Sequence, residues 1–289
     1  MIIDCHYHLE PRMLSMEKLI AKMDSCGIDR VALMATMADP LPHASEFIQK
    51  IIRFSLSHRS LRFISRMALT RFTADGSIKL PAGDFAIYAD PDNDAVFQTV
   101  ASDPDRFYGW VFVNPNGEND PLTEFEKWRG HPGCIGVKAH PMWHRYPIAA
   151  LIPVAEQSAA LGKPLLIHAG FGAHGDFKSL IDAVPDLKLI LAHAGFPGFS
   201  DTWKAIREFE NVFVDLSQSI YVDEKTMRGV VNYLGPDRCL YGTDGPYGEP
   251  DADGLFDFGF LKTRIERLFP EKETQRKILG ENFLQLTGF

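Results

Sequence analysis

A chain of 289 residues is too long for a small disulfide scaffold, and its 45% hydrophobic and 24% charged content excludes intrinsic disorder as an overall state. Thirty basic against thirty-eight acidic side chains leave a net charge of −8, which argues against a nucleic-acid surface and against an anionic membrane as partner. Cys5, Cys26, Cys134 and Cys239 form no CxxC pair, so neither a disulfide framework nor a cysteine zinc site is expected.

The chain opens on MIIDCHYHLE, in which Ile2–Cys5 reads as a buried strand. No secretory apolar region and no run of membrane-spanning length is present, so a reduced, cytoplasmic protein is expected. Ser15–Cys26 follows as a helix capped by Ser15 and stopped by Gly27. Arg30–Ala35 is the second strand candidate, and His43–Ser57 is helical in pattern. Leu61–Pro91 breaks the rhythm: the apolar run Phe63–Leu69 leads into the turn-rich RFTADGSIKLPAGD. It is expected as an inserted excursion with little regular structure; a lid, an oligomer contact and an incidental loop all remain open for it. A helix near Asp92–Ala101 then leads to the third barrel strand, Tyr108–Val113.

Strands are expected next at Ile135–Ala139, Pro164–Ile167, Lys188–Ala192, Val212–Asp215 and Arg238–Gly242. Helical patterns lie among them at Ile148–Leu161, Ser200–Phe209 and Glu224–Leu234. Eight short strands rich in Val, Ile and Leu, with helices between them, specify the α/β class and a (β/α)8 TIM barrel as a single domain. No glycine-rich dinucleotide fingerprint follows the first strand, which disfavours an open doubly wound sheet.

His6 and His8 flank Tyr7, and residues two apart on a strand share a face. An HxH alone is a weak metal signal. His168, however, ends PLLIH, His193 nearly ends LKLILAH and Asp244 closes LYGTD, each where barrel enzymes assemble their sites. Imidazole and carboxylate ligands suit a divalent transition metal such as zinc. Lys138 and His140 share a face in GVKAHP, and the loop PMWHRYP adds Trp143 and Arg145 at the mouth. These four are expected to bind a small, anionic or ring-bearing substrate, Arg145 by bidentate pairing; a covering role at the rim is equally open for Trp143. Phe171, His174, Tyr221 and Tyr247 occupy similar rim positions. Asp4 can orient a ligand histidine or serve a turn, and Asp215 is expected to hydrogen-bond at the rim rather than hold metal. His43, His58 and His131 read as solvated.

HYH, GVKAHP, LLIHAG, LILAHAG and YGTDGP, in this order, resemble the amidohydrolase superfamily, in particular the amidohydrolase-related branch that includes aminocarboxymuconate-semialdehyde decarboxylase. The closing ILGENFLQLTGF resembles the same branch. The resemblance implies that His6, His8, His168 and Asp244 hold one divalent metal, most simply zinc. It also implies that His193 lies beside the activated water, orienting it or polarising the substrate as an imidazolium, and that Asp244 takes a proton. In binuclear members a lysine at the position of Lys138 is carbamylated and bridges two metals, a minority alternative here. A homodimer is implied at family level. The expected activity is hydrolysis of a small amide, ester or lactone. Nonhydrolytic decarboxylation of an unsaturated or aromatic acid is the first alternative, and a binding protein with a vestigial site the second.

Overall fold

The computed structural model describes residues 1–289. Eight parallel strands form the barrel: β1 Ile3–Leu9, β2 Arg30–Ala35, β3 Phe107–Val113, β4 Cys134–Ala139, β5 Leu165–Ile167, β6 Leu189–Leu191, β7 Val212–Asp215 and β8 Cys239–Leu240. They pair in chain order, so every expected barrel strand is present and the (β/α)8 architecture stands. The eighth strand is regular for only two residues. The ring nevertheless closes on the first through Cys5 N–H to Tyr241 O (3.0 Å), Asp244 N–H to His6 O (2.7 Å) and His8 N–H to Gly245 O (2.7 Å). Their side chains are buried on both faces, which is why these strands read as continuous apolar runs.

Two devices bring the last strand onto the first. Gly242 sits where a Cβ would lie 2.9 Å from the His6 Cβ, so only a glycine allows this approach. The buried Asp4 carboxylate accepts from the backbone N–H of His6 (3.0 Å) and of Thr243 (3.0 Å), and from the Thr243 hydroxyl (2.5 Å). Asp4 thus joins the two segments that carry His6 and Asp244, a backbone role rather than contact with a ligand ring. Burial pushes its pKa up to about 7 against those hydrogen bonds.

Helix α1, Met16–Cys26, has Ser15 at its N-cap and Gly27 in the left-handed conformation at its end, as its sequence indicates. The excursion departs from expectation, because it is largely regular. After α2, Glu46–Ser57, it forms α3, Arg62–Leu69, and a hairpin of Ile78–Leu80 with Gly83–Phe85. The apolar run Phe63–Leu69 is therefore helix. Three contacts fix this unit over the barrel mouth. Arg53 Nε donates to Ser219 O (3.0 Å), Trp143 Nε1 donates to Leu69 O (3.2 Å), and Ala38 bridges to Ile87.

Candidate active site

His6 and His8 lie inside β1 rather than beyond it, and both rings reach Asp244. The outer nitrogen of each is occupied. His6 Nδ1 meets Asp215 Oδ2 at 2.8 Å, and His8 Nδ1 meets the Ala35 carbonyl at 3.1 Å. Each acceptor fixes a proton on Nδ1 and leaves Nε2 to face inward. The two Nε2 atoms lie 3.1 and 3.3 Å from Asp244 Oδ1. His6, His8 and Asp244 thus present three ligand atoms within 4.8 Å of one another. A second trio, His6, His193 and Asp215, is equally compact, but His6 Nδ1 is already paired with Asp215 Oδ2, and the His193 ring nitrogens meet Ser217 Oγ and His168 Nδ1. The first trio is the one whose Nε2 and carboxylate atoms could hold a metal ion beside the pocket. Its donor chemistry fits a divalent ion.

His168 stands beside this trio, not within it. Its Nδ1 lies 3.1 Å from His193 Nε2, while its Nε2 is buried with no hydrogen-bond partner. An orphaned buried imidazole nitrogen is costly unless something completes it, and a metal ion beside the trio would do so.

His193 follows β6 in a tight turn, with His193 and Ala194 both at φ 55°. Left-handed backbone at non-glycine residues costs about 1–2 kcal/mol each and persists only where surroundings impose it. Here the His193 N–H donates to Asp215 Oδ1 (2.9 Å), and its Nδ1 meets Ser217 Oγ (2.8 Å). Burial pushes the His193 pKa down to about 4, so the ring is neutral at pH 7. A neutral ring fits the water-orienting role. His193→Asn is expected to retain metal yet lower turnover by roughly 10²–10⁴-fold. Metal content and kcat of the same preparation check both halves.

Asp244 is also left-handed, at φ 58°, held by its N–H bond to His6 O (2.7 Å). Burial pushes its pKa up, but His6 and His8 outweigh that and hold the carboxyl well below its ordinary range. Gln218 Nε2 donates to Asp244 Oδ2 (2.9 Å), so the two oxygens are divided between Gln218 and the histidines. Burial and Lys138 pull the His6 pKa down, yet Asp215 and Asp244 leave it raised.

Lys138 is fully buried, with Nζ 3.2 Å from His6 Nε2. It is not among the residues that line the pocket beside His8 and Asp244. Burial lowers its pKa to about 8 against the pull of Asp244 and Asp215. His140 and Trp143 do line the pocket, stacked with ring centroids 5.2 Å apart. Trp143 covers the rim and ties α3 down through its N–H. Arg145 corrects the expectation of a carboxylate clamp. Its backbone turns left-handed (φ 57°), and its guanidinium lies over the Phe72 ring, 5.1 Å from the centroid, outside the pocket.

The pocket above the trio encloses about 300 Å³. Tyr221 and Tyr247 line it, whereas Phe171 and His174 do not. His43, expected to be solvated, stands at its edge with Nε2 3.2 Å from Glu249 Oε2. The roof of Ile48, Ile52, Leu69 and Leu80 comes from α2 and the excursion. Sequence periodicity gave no sign of these wall positions.

A family model for amidohydrolases matches residues 3–286. Among solved structures, the chain is similar to a 5-carboxyvanillate decarboxylase from Sphingomonas paucimobilis, with 17% identity and a TM-score of 0.62 over 100% of this chain and 99% of that one. A 2,6-dihydroxybenzoate decarboxylase from Rhizobium gives 16% identity and a TM-score of 0.60, covering 99% and 98%. A Pseudomonas putida protein provisionally assigned as a 2-pyrone-4,6-dicarboxylic acid hydrolase gives 16% and 0.63, covering 99% and 97%. At these identities the likeness is one of fold. No curated protein sequence matches the chain.

Proposed function

The chain belongs to the amidohydrolase family, and from that premise we propose that it is a metal-dependent hydrolase that opens a small organic ester, lactone or amide. The observation that carries this reading is the meeting of His6 Nε2 and His8 Nε2 on Asp244 Oδ1, with His8 and Asp244 in the floor of a pocket. His168 is assigned as the fourth ligand, and zinc is the metal this set suits best. A divalent ion held there supplies Lewis acidity and lowers the pKa of water from 15.7 towards about 7.

The chain's own groups then divide the work. Asp244 Oδ2, oriented by Gln218, receives the proton that water gives up as it adds to the acyl carbon. His193 holds that water in line through its neutral ring. His140 Nδ1 accepts from the Trp143 N–H (3.2 Å), which places the His140 proton on Nε2 as a donor for the substrate carbonyl. On collapse, the leaving alkoxide or amine takes its proton back from Asp244.

Two neighbours of the same fold are decarboxylases, which keeps nonhydrolytic decarboxylation as the second reading. The protein should therefore be purified without added metal, analysed for bound ions, and assayed on lactones, esters and hydroxybenzoic acids. About one ion per chain with ring opening or ester cleavage supports the proposal. Carbon dioxide release from the acids without hydrolysis transfers the site to the second reading. Two ions per chain would support the carbamylated Lys138, whose fully buried amine meets the dryness that role requires.

A further inference from the structure

The walls of the pocket specify more than its floor does. Above His8, His140, His168 and Asp244 the lining is mostly apolar, with Met37, Leu41, Ile48, Ile52, Leu69 and Leu80 facing the cavity. No lysine or arginine lines it, and four that approach it are held elsewhere. Lys138 lies against His6, and Arg145 lies on Phe72. Arg53 donates to the Ser219 carbonyl and to the Gln49 amide oxygen, and Arg12 pairs with Glu10. Asp244, in the floor, is the one carboxylate among the lining residues, and Glu249 pairs with His43 at the edge. A substrate carboxylate remote from the reacting bond would enter an apolar, acid-bordered cavity with no cation to receive it. Burying such a charge unpaired is unfavourable.

We infer that the substrate is an uncharged ester or lactone whose reacting carbonyl lies on the histidine floor and whose apolar part is seated under the α2–α3 roof. The inference rests on the hydrolytic reading for its carbonyl, and on the roof for its charge and polarity. It departs from the anionic substrate suggested by Lys138 and Arg145 in sequence. The cavity of about 300 Å³ suits a single ring or a short chain.

Two measurements separate this inference from the activity on which it builds. The first compares kcat/KM of the metal-loaded protein for neutral aryl esters of increasing acyl length with hemi-esters bearing a terminal carboxylate. Values should rise about fourfold per added methylene until the cavity is full. The carboxylated ester of equal length should be at least ~100-fold poorer. The second needs no turnover: 2-octanone and 7-oxooctanoate, unreactive and matched in length, compete with an apolar fluorophore for the pocket. Tighter binding of 2-octanone supports the inference even if no ester is cleaved, in which case only the hydrolytic reading falls. Equal or tighter binding of 7-oxooctanoate overturns it whatever the esters show. Ile48→Arg, at a half-buried position on α2, should reverse the order by 10-fold or more relative to Ile48→Gln. An unchanged order in a folded Ile48→Arg protein would place the ligand outside the roof and overturn the inference.

Discussion

Asp244→Asn is expected to abolish turnover, by about 10⁴-fold or more at saturating metal, because one side chain supplies both a ligand oxygen and the proton acceptor. The substitution preserves shape, so the loss reports chemistry. In the parent, Oδ1 faces two imidazole nitrogens at 3.1 and 3.3 Å, while Oδ2 accepts from Gln218 at 2.9 Å. An amide must place its NH2 on one of these sides. Facing Gln218, it sets donor against donor and frees the glutamine. Facing the histidines, it donates to the lone pairs that a metal requires. Neither orientation restores a base at neutral pH. The variant should remain folded, since the backbone bond from Asp244 N–H to His6 O survives. Circular dichroism, metal content and kcat on one preparation check the result. Parent-like turnover in the metal-loaded variant would remove Asp244 from the proton transfer.

What could be read in the sequence follows from what is local. The parallel strands announce themselves because burial on both faces makes each a short apolar run, and the site residues stand where those runs end. The Ser15 cap and the Gly27 stop are equally local, and α1 appears where they place it. The misses share a different character. Arg145 looked like a clamp by its nearness to Trp143, but one left-handed residue turns it onto Phe72, and no periodicity predicts that turn. The roof depends on α2 and α3 folding back over the mouth, held by Arg53 on Ser219 and Trp143 on Leu69, residues 166 and 74 positions apart. Contacts of such separation leave no trace in the spacing of apolar residues. Asp215 shows the same limit from the other side. Its place at the end of a strand was legible in VFVD, and its hydrogen bonding was expected. Its partners were not, because His6 lies 209 residues away. The signal that could have found them is the run DLSQS, where Asp215, Ser217 and Gln218 all touch the site.

Asp215→Asn should weaken metal binding by 10–100-fold and, unlike Asp244→Asn, recover much of its turnover when metal is supplied in excess. Every group that meets Asp215 is a donor. Oδ2 receives His6 Nδ1–H at 2.8 Å, and Oδ1 receives the N–H of His193 at 2.9 Å, the N–H of Ser217 at 3.0 Å and the Ser217 hydroxyl. Burial pushes this carboxyl's pKa up, but His6 outweighs it and holds the group ionised, well below its ordinary range. An asparagine has one acceptor oxygen where four donors wait. With its oxygen towards the backbone amides, its NH2 opposes His6 Nδ1–H, and the ring is driven to rotate or to move its proton to Nε2. That proton would cover the nitrogen which faces Asp244. With the oxygen towards His6, the His193 and Ser217 amides lose their acceptor at roughly 1–3 kcal/mol each, and the left-handed turn at His193 loses its anchor. Both orientations disturb ligand direction while leaving His6, His8 and Asp244 chemically intact. Metal titration followed by chromophoric competitor, with kcat at each metal level, separates the two variants. Undiminished metal affinity in folded Asp215→Asn would show that the His6 ring is oriented by its packing alone.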